Sequence, residues 1–323
     1  MPLNTAYIHC TGYFPYANQA LEKYLVETVA PDTVILYLWQ NQRTVVIGKN
    51  QNAWQECKVA EISADGGYVA RRISGGGAVY HDLGNLNFTF VLAKAHYDIP
   101  RQQQVICRAL RKLGIAAEVT GRNDIVVDGK KISGNAFYEG KNCFHHGTLL
   151  ISVDTAEMGR YLNPSAAKLQ AKGISSVKAR VANLNTFLPG LTPESLGEAL
   201  IQALGEEYGS VPQEMFPAQL DQARLAELTQ AFADEEWRLG RPIPCDLTLS
   251  QRFDWGEVEL RLQENRGKVQ QVQVFTDSLA PELSKEIETA LMGVAFSSQA
   301  LAKKAKEAGL PTEIALLLEK ESF

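Results

Sequence analysis

Apolar positions between Ala17 and Val29 recur at helical spacing, with Ala20, Leu21, Tyr24, Leu25 and Thr28 on one stripe, and predict a first amphipathic helix. Two β-rich runs follow, Thr33 to Trp39 and Thr44 to Gly48, and then a third, Tyr68 to Arg72. From Asn85 to Leu92 the pattern alternates, placing Leu86, Phe88, Phe90 and Leu92 on one face, as a half-buried strand does. Gln103 to Leu113 reads as a helix and Ile115 to Val119 as another strand. Asp128-Gly129 is a two-residue turn signal between Ile125-Val126-Val127 and Lys131-Ile132. Glu139-Gly140-Lys141-Asn142 marks a second turn, leading into Phe144 to Val153. Consecutive strands joined by tight turns imply antiparallel pairing. The expected class is therefore α+β, with largely antiparallel sheets and packed helices, and not a doubly wound parallel sheet.

Beyond Leu150 the chain turns helical. Thr192-Pro193-Glu194 is a helix start, a cap followed by proline at the first helical position, running to about Tyr208. Another helix fits Gln219 to Phe232, and Arg241-Pro242-Ile243-Pro244 then breaks the pattern. After it come a hairpin (Val258 to Leu262, a turn at Asn265-Arg266-Gly267, Val269 to Phe275) and two or three helices. The expected division is residues 1–244 and 245–323, the second a small α+β accessory domain.

Charge supports that division. The 323 residues carry a net charge of −5, but the segment from Cys245 onward holds 13 acids against 9 bases, while the first 244 residues are nearly neutral. A mildly acidic chain argues against non-specific binding to nucleic acid or anionic membrane. Five scattered cysteines without a Cys-x-x-Cys pair read as reduced thiols. With no leader pattern at Met1-Pro2-Leu3-Asn4-Thr5 and no apolar run long enough to span a bilayer, a cytoplasmic monomer is expected.

Three clusters carry candidate chemistry. Arg71-Arg72-Ile73-Ser74-Gly75-Gly76-Gly77-Ala78-Val79-Tyr80-His81-Asp82 joins close backbone approach to positive charge, which suits a phosphate-bearing ligand or, more plainly, a flexible hairpin with solvated arginines. It lacks the Gly-Lys-Ser/Thr ending of a Walker A loop. In Gly121-Arg122-Asn123-Asp124 and Lys131-Ile132-Ser133-Gly134-Asn135, a turn at Asp128-Gly129 puts Asp124 and Lys131 on paired strands. Lys131 there could place a charge on a phosphate or carboxylate oxygen, and Asp124 or Asn123 could hold Mg²⁺, or the two charges form a surface ion pair. In Phe144-His145-His146-Gly147-Thr148 the adjacent histidines point to opposite faces, so one is expected to line a pocket and the other to pack or meet solvent. Cys143 is better read as a buried inert thiol than as a nucleophile. Arg160, Lys168, Lys172, Lys178 and Arg180, with no acid among them, form a local basic stretch expected to help dock an acidic partner.

Taken in order, these segments resemble the lipoate-protein ligase A family, within the biotin/lipoate A/B protein ligases. Val45-Val46-Ile47-Gly48, Asn52-Ala53-Trp54, Lys172-Gly173-Ile174-Ser175-Ser176-Val177, Phe253-x-Trp255-Gly256 and Val274-Phe275-Thr276-Asp277-Ser278-Leu279 extend the likeness over nearly the whole chain. The resemblance implies a two-step reaction. Lipoate and MgATP give lipoyl-AMP and pyrophosphate, and a lysine of an acceptor lipoyl domain then takes the acyl group. The implied acceptors are E2 subunits of 2-oxoacid dehydrogenases or the glycine cleavage H protein. It implies Lys131 as the catalytic lysine touching both acyl carbonyl and phosphate. Arg72, Gly75, Gly76, Gly77, Ala78, Val79, Tyr80, Asn123 and Asp124 would bind ATP or adenylate, with Asp124 also toward Mg²⁺. Ser74, His81, Gly147 and Lys131 would meet lipoate, and Leu86, Phe88 and Val79 would line an apolar slot for its chain.

Rival readings share the fold or the pocket. An octanoyl- or lipoyl-transferase would use a cysteine without ATP, yet there is no cysteine between Cys143 and Cys245. A biotin ligase would carry a Gly-Arg-Gly-Arg-type loop that is missing here. A nucleotide-sensing protein would keep the glycine loop and catalyse nothing.

Overall fold

The structure, a computed structural model, describes residues 3–10, 12–121, 123–163, 181–241 and 243–320. In chain order the first part comprises β1 (Asn4–His9), α1 (Pro15–Thr28), β2 (Thr33–Trp39), β3 (Thr44–Ile47), α2 (Ala53–Glu56), α3 (Val59–Ala64), β4 (Tyr68–Arg71), β5 (Val79–His81) and β6 (Asn85–Ala93). Next come α4 (Ile99–Lys112), β7 (Glu118–Thr120), β8 (Asp124–Val127), β9 (Lys130–Glu139), β10 (Asn142–Leu150) and α5 (Thr155–Tyr161). After these lie α6 (Pro193–Tyr208), β11 (Gln213–Met215), α7 (Gln222–Ala233) and α8 (Glu235–Leu239). The C-terminal part is β12 (Leu247–Phe253), β13 (Gly256–Asn265), β14 (Lys268–Thr276), α9 (Leu283–Leu291), α10 (Ser298–Glu307) and α11 (Thr312–Lys320).

Local chemistry explains the clearest boundaries. The β8–β9 hairpin turns on Asp128 and Gly129, both at positive φ (50° and 72°), where an Asp-Gly pair is at home. Thr192 caps α6 in a reciprocal capping box with Ser195, proline opens the helix, and Gly209 closes it in the left-handed conformation. The strand expected over Ile115 to Val119 is displaced to Glu118–Thr120, because Ile115 belongs to the core beneath α4.

The main sheet runs β11-β1-β2-β6-β10-β9-β8-β7. Its centre is antiparallel, but β1 pairs parallel with both β11 and β2, and in the small sheet β4-β3-β5 the β3–β4 pair is also parallel. The architecture is α+β with mixed sheets. The parallel pairs arise because helical connections, α1 and α3 among them, carry the chain back to the same end.

Alternation assigns the two faces of the main sheet. Val34, Leu36, Leu38, Leu86, Phe88, Phe90 and Leu92 face α4 and α6, while Ile35, Tyr37, Trp39, Val91 and Phe144 face α1. The stripe on α1 is narrower than its periodicity predicts, since Thr28 is exposed and Tyr24 only half buried. Asn18, Gln19 and Glu22 are buried on that helix instead. Residues 247–318 build a core of their own from β12-β13-β14 and the three helices that follow.

Phe88 sits at 0% exposure in the centre of the large core. Truncating it to alanine removes its contacts and leaves a cavity, so Phe88→Ala is expected to cost about 3–5 kcal/mol, measured by urea denaturation.

Candidate active site

Between α1, the small sheet and the β8–β10 strands lies a cavity of about 290 Å³. Its wall includes Arg72, Gly76, Gly77, Ala78, Val79, Tyr80 and His81 from the glycine segment. Asn123, Asp124 and Lys131 come from the β8–β9 hairpin, and His146 and Gly147 from β10.

Lys131 and Asp124 meet as expected from the hairpin, with Nζ 2.8 Å from Oδ1. A bulge in the β8–β9 pairing sets Lys131 opposite Val126, and the Ala182 N–H donates to the Lys131 carbonyl at 2.9 Å. The lysine side chain folds over Gly134, where a Cβ would stand 2.6 Å from Nζ, so a side chain at that position would push the lysine head aside. The neighbouring Asn123 is anchored to β9, its carbonyl accepting the backbone N–H of Asn135 at 2.8 Å and the Asn135 Nδ2 at 3.0 Å. Asn123 Nδ2 donates back to the Asn135 carbonyl at 3.1 Å. Arg122 lies outside the described residues.

The two arginines part company, because successive side chains of a strand point to opposite sides. Arg71 turns away from the cavity and donates to the carbonyls of Gly48, Lys49, Gln51 and Trp237. It pins the turn after β3 and contributes nothing to the cavity wall, contrary to the expectation of paired charges. Arg72 is buried on the cavity side, where its Nε and Nη2 reach the Gly75 carbonyl at 3.2 and 2.7 Å and Nη2 reaches the Gly77 carbonyl at 2.9 Å. Nε also donates to Ser74 Oγ at 3.0 Å and Nη1 to the Val46 carbonyl at 3.2 Å. Burial pushes its pKa down to about 10, which leaves it charged at neutral pH.

Ser74 and Gly75, expected at the ligand, stand behind the wall. Ser74 is fully buried and its Oγ is 2.9 Å from His146 Nε2. Gly75 backs onto the C-terminal part, since a Cβ there would lie 2.4 Å from the Ser278 carbonyl. The Gly76 N–H donates to that carbonyl at 2.9 Å, the Thr276 N–H to the Asn50 carbonyl at 2.9 Å, and Lys49 pairs with Glu282 at 2.6 Å. Leu86 and Phe88 are likewise not on the wall. They lie on the opposite face of β6, in the core under α4, because alternation gives Asn87 to the cavity.

The histidines divide by face. His146 lines the cavity, with Nδ1 2.8 Å from Glu22 Oε1. His145 is buried on the other side between Gln102 and Asn135, at 3.1 and 2.7 Å. Glu22 also accepts from Thr89 Oγ1 at 2.7 Å, and Thr89 accepts from Trp39 Nε1 at 3.0 Å. Glu22, Gln19, Trp39, Asn87 and Glu56 are cavity residues that the sequence reading missed. The available signal was three polar residues, Asn18, Gln19 and Glu22, on one side of an otherwise apolar helix stripe.

No cysteine lines the cavity among the described residues, and Cys143 is fully buried in β10 with its thiol pushed up by burial. Of the basic stretch, Arg160 is committed to Asp65 at 2.8 Å and to Glu157 at 3.7 Å, while Lys168, Lys172, Lys178 and Arg180 lie outside the described residues, as does the segment 172–177. No helix among the described residues is long and apolar enough to cross a membrane.

With this geometry established, comparison with known proteins assigns the class. Residues 14–205 match the family described as "Lipoyl protein ligase A/B catalytic domain", and residues 243–323 match "Bacterial lipoate protein ligase C-terminus". The chain is 42% identical over 302 residues to the lipoate-protein ligase A of Psychrobacter cryohalolentis, covering 91% of this chain and 89% of that one. The fold matches the crystal structure of P. falciparum LipL1 in complex with lipoate (TM-score 0.85, 27% identity, 98% of this chain and all of the other). It also matches a lipoate-protein ligase A bound with ATP (TM-score 0.62, 25% identity, 74% of this chain and 99% of the other). The chain belongs to the lipoate-protein ligase family and is an enzyme of that family.

Burial, reinforced by Arg72 and then by His146, pushes His81 down to about 3, and burial with His146 does the same to His145. In the unfolded chain both titrate near 6.5, so between that pH and about 3 the unfolded chain binds more protons. Stability therefore falls as pH drops through this window, by up to about 1.4 kcal/mol per pH unit for each histidine, and neither contributes above it. His145→Phe is expected to flatten the loss of stability between about pH 7 and pH 5, read from urea denaturation at each pH.

Proposed function

We propose that the enzyme activates lipoate with ATP to lipoyl-AMP, releasing pyrophosphate, and then transfers the lipoyl group to a lysine of an acceptor lipoyl domain. The observation that carries the reading is Lys131 with Asp124 on the wall of the same cavity as the Gly76–Tyr80 segment. The known protein bound with ATP and the one in complex with lipoate support both substrates. E2 subunits of 2-oxoacid dehydrogenases and the glycine cleavage H protein are the proposed acceptors, on the strength of the family motifs. Residues 1–244 would carry the chemistry and 245–323 would act as the accessory part.

Carboxylate attack on the α-phosphorus brings two anions together, and a cation fixed between them lowers that cost. Lys131, held by its backbone and by Asp124, would supply that cation, with Gly147 and Gly134 beside it. At Gly147 a Cβ would meet the Gly134 carbonyl at 2.7 Å. Arg72 acts mainly through the loop, holding the carbonyls of Gly75 and Gly77 inward so that the intervening backbone keeps its shape. The Gly76 N–H is engaged by Ser278, so a phosphate that takes this donor requires residues 276–282 to move off the loop.

Mg²⁺ bound with nucleotide needs only one or two carboxylates beside the phosphate oxygens. Among the described residues no cluster of three metal-binding side chains exists, and the single carboxylate of Asp124, with the amide oxygen of Asn123, fits that sparse requirement. Those two residues would hold the ion, whose contribution is to neutralise phosphate charge.

The test is lipoate-dependent ATP–pyrophosphate exchange by the purified protein. Exchange is expected, with Lys131→Ala lowering its rate about 100-fold or more and Cys143→Ser leaving it nearly unchanged. Absence of exchange, combined with acyl transfer from an acyl carrier protein that Cys143→Ser abolishes, would replace the ligase reading with a thiol transferase.

A further inference from the structure

The cavity has an open end and a closed end. At the open end Lys131 and Asp124 keep 19% and 14% of their side chains exposed. At the other, Gln19, Asn87 and His81 have exposures of 2%, 1% and 3%. A pocket for an aliphatic acyl chain would be expected to close on apolar side chains. Here the buried wall carries, beside apolar Trp39 and Val46, polar groups that lack partners.

Both the Oε1 and Nε2 of Gln19 are buried without a hydrogen-bond partner, as is Nδ2 of Asn87, whose Oδ1 accepts from Asn85 at 2.8 Å. His81 Nε2 is likewise unpartnered. The tautomer of that ring follows from its surroundings. Asn41 Oδ1 accepts from Asn18 at 3.0 Å, so Asn41 turns its Nδ2 toward His81 Nδ1, 3.2 Å away. Nδ1 is therefore the acceptor, and Nε2 carries the proton. Three N–H groups, from an α1 amide, a β6 amide and a β5 imidazole, thus border one chamber, and none of them is hydrogen-bonded to a protein acceptor.

An unpaired buried donor costs free energy in every state in which nothing accepts from it. A saturated methyl end placed against these groups would leave them unpaired and drive out any water that served them. A tail ending in sulfur offers lone pairs, and divalent sulfur is a weak acceptor. Sites lined by hydrogen-bonding groups reject analogues that lack the matching atom, because the site's own polar groups are then stranded.

We propose that Gln19, with Asn87 and His81, is the specificity-determining end of the acyl pocket and selects chains terminating in a cyclic disulfide over unsubstituted alkyl chains of the same length. This rests on the lipoate ligase reading and adds a preference among its acyl substrates.

The experiment compares lipoate with octanoate in two readouts, acid-dependent ATP–pyrophosphate exchange and direct calorimetric binding to the full chain, for the wild type, Gln19→Leu and Gln19→Met. The wild type is expected to favour lipoate by tenfold or more in kcat/KM. Both variants should reduce that ratio about tenfold, mainly through a lower KM for octanoate with kcat little changed. Each variant also removes a buried amide without partners, so its Tm without ligand should rise, which confirms that it folds. Equal use of the two acids by the wild type, or an unchanged ratio in both variants, overturns the proposal. If the acids bind with the expected preference but exchange is absent, the selectivity stands and the reaction reading fails. If neither acid binds, both fall.

Discussion

Arg72 carries its charge inside the protein, and removing a guanidinium from water is costly unless its donors are met. Here they are met by the chain segment that the charge organises. The carbonyls of Gly75 and Gly77 turn inward to Arg72, which fixes the course of the glycine run between β4 and β5. Ser74 extends the arrangement to His146, His146 to Glu22, and Glu22 through Thr89 to Trp39. One chain of hydrogen bonds thus ties the small sheet, β10, α1 and the centre of the large sheet around the cavity.

That chain explains a division of labour on the cavity wall. Residues whose polar atoms are satisfied within it, Ser74, Glu22 and Thr89, hold the architecture. Lys131 and Asp124 stand on a separate hairpin and keep part of their side chains exposed. The C-terminal part closes over the back of the glycine run through Ser278 and over the adjoining Lys49 and Asn50 through Glu282, Thr276 and Pro281, so its position and the shape of the loop depend on each other. A close fit of this kind demands glycine at position 75, where any side chain would strike the Ser278 carbonyl.

Several parts of this could be read in advance, and the reasons are local. Asp128-Gly129 announces its hairpin because few residue pairs tolerate two positive φ angles in succession, and the register of that hairpin brings Lys131 to Asp124. Thr192-Pro193 announces α6 because the cap and the fixed proline φ act within one turn. Other readings failed because they needed a neighbour distant in sequence. Leu86 and Phe88 were correctly placed on one face of a strand. Which face met the cavity depended on where α1 and α4 packed, and the cavity took Asn87. Arg71 and Arg72 looked alike until β4 acquired partners on its two sides. Glu22 and Gln19 broke an apolar stripe, a signal that polar groups are buried there but not of which elements close the chamber around them.

By itself the sequence determined the α+β class, the central strands and hairpin, the start of α6 and the ordered motifs of a lipoate-protein ligase, because periodicity, turn chemistry and capping act over a few residues and leave a readable trace. The tertiary structure alone decided that Arg72 faces inward while Arg71 faces away. It also decided that Ser74 and Gly75 support the wall without forming it, and that the closed end of the pocket presents the N–H groups of Gln19, Asn87 and His81. These outcomes turn on which surfaces meet. Burial and hydrogen-bond satisfaction are properties of the packed whole, and a residue's type does not reveal whether its partner will be present.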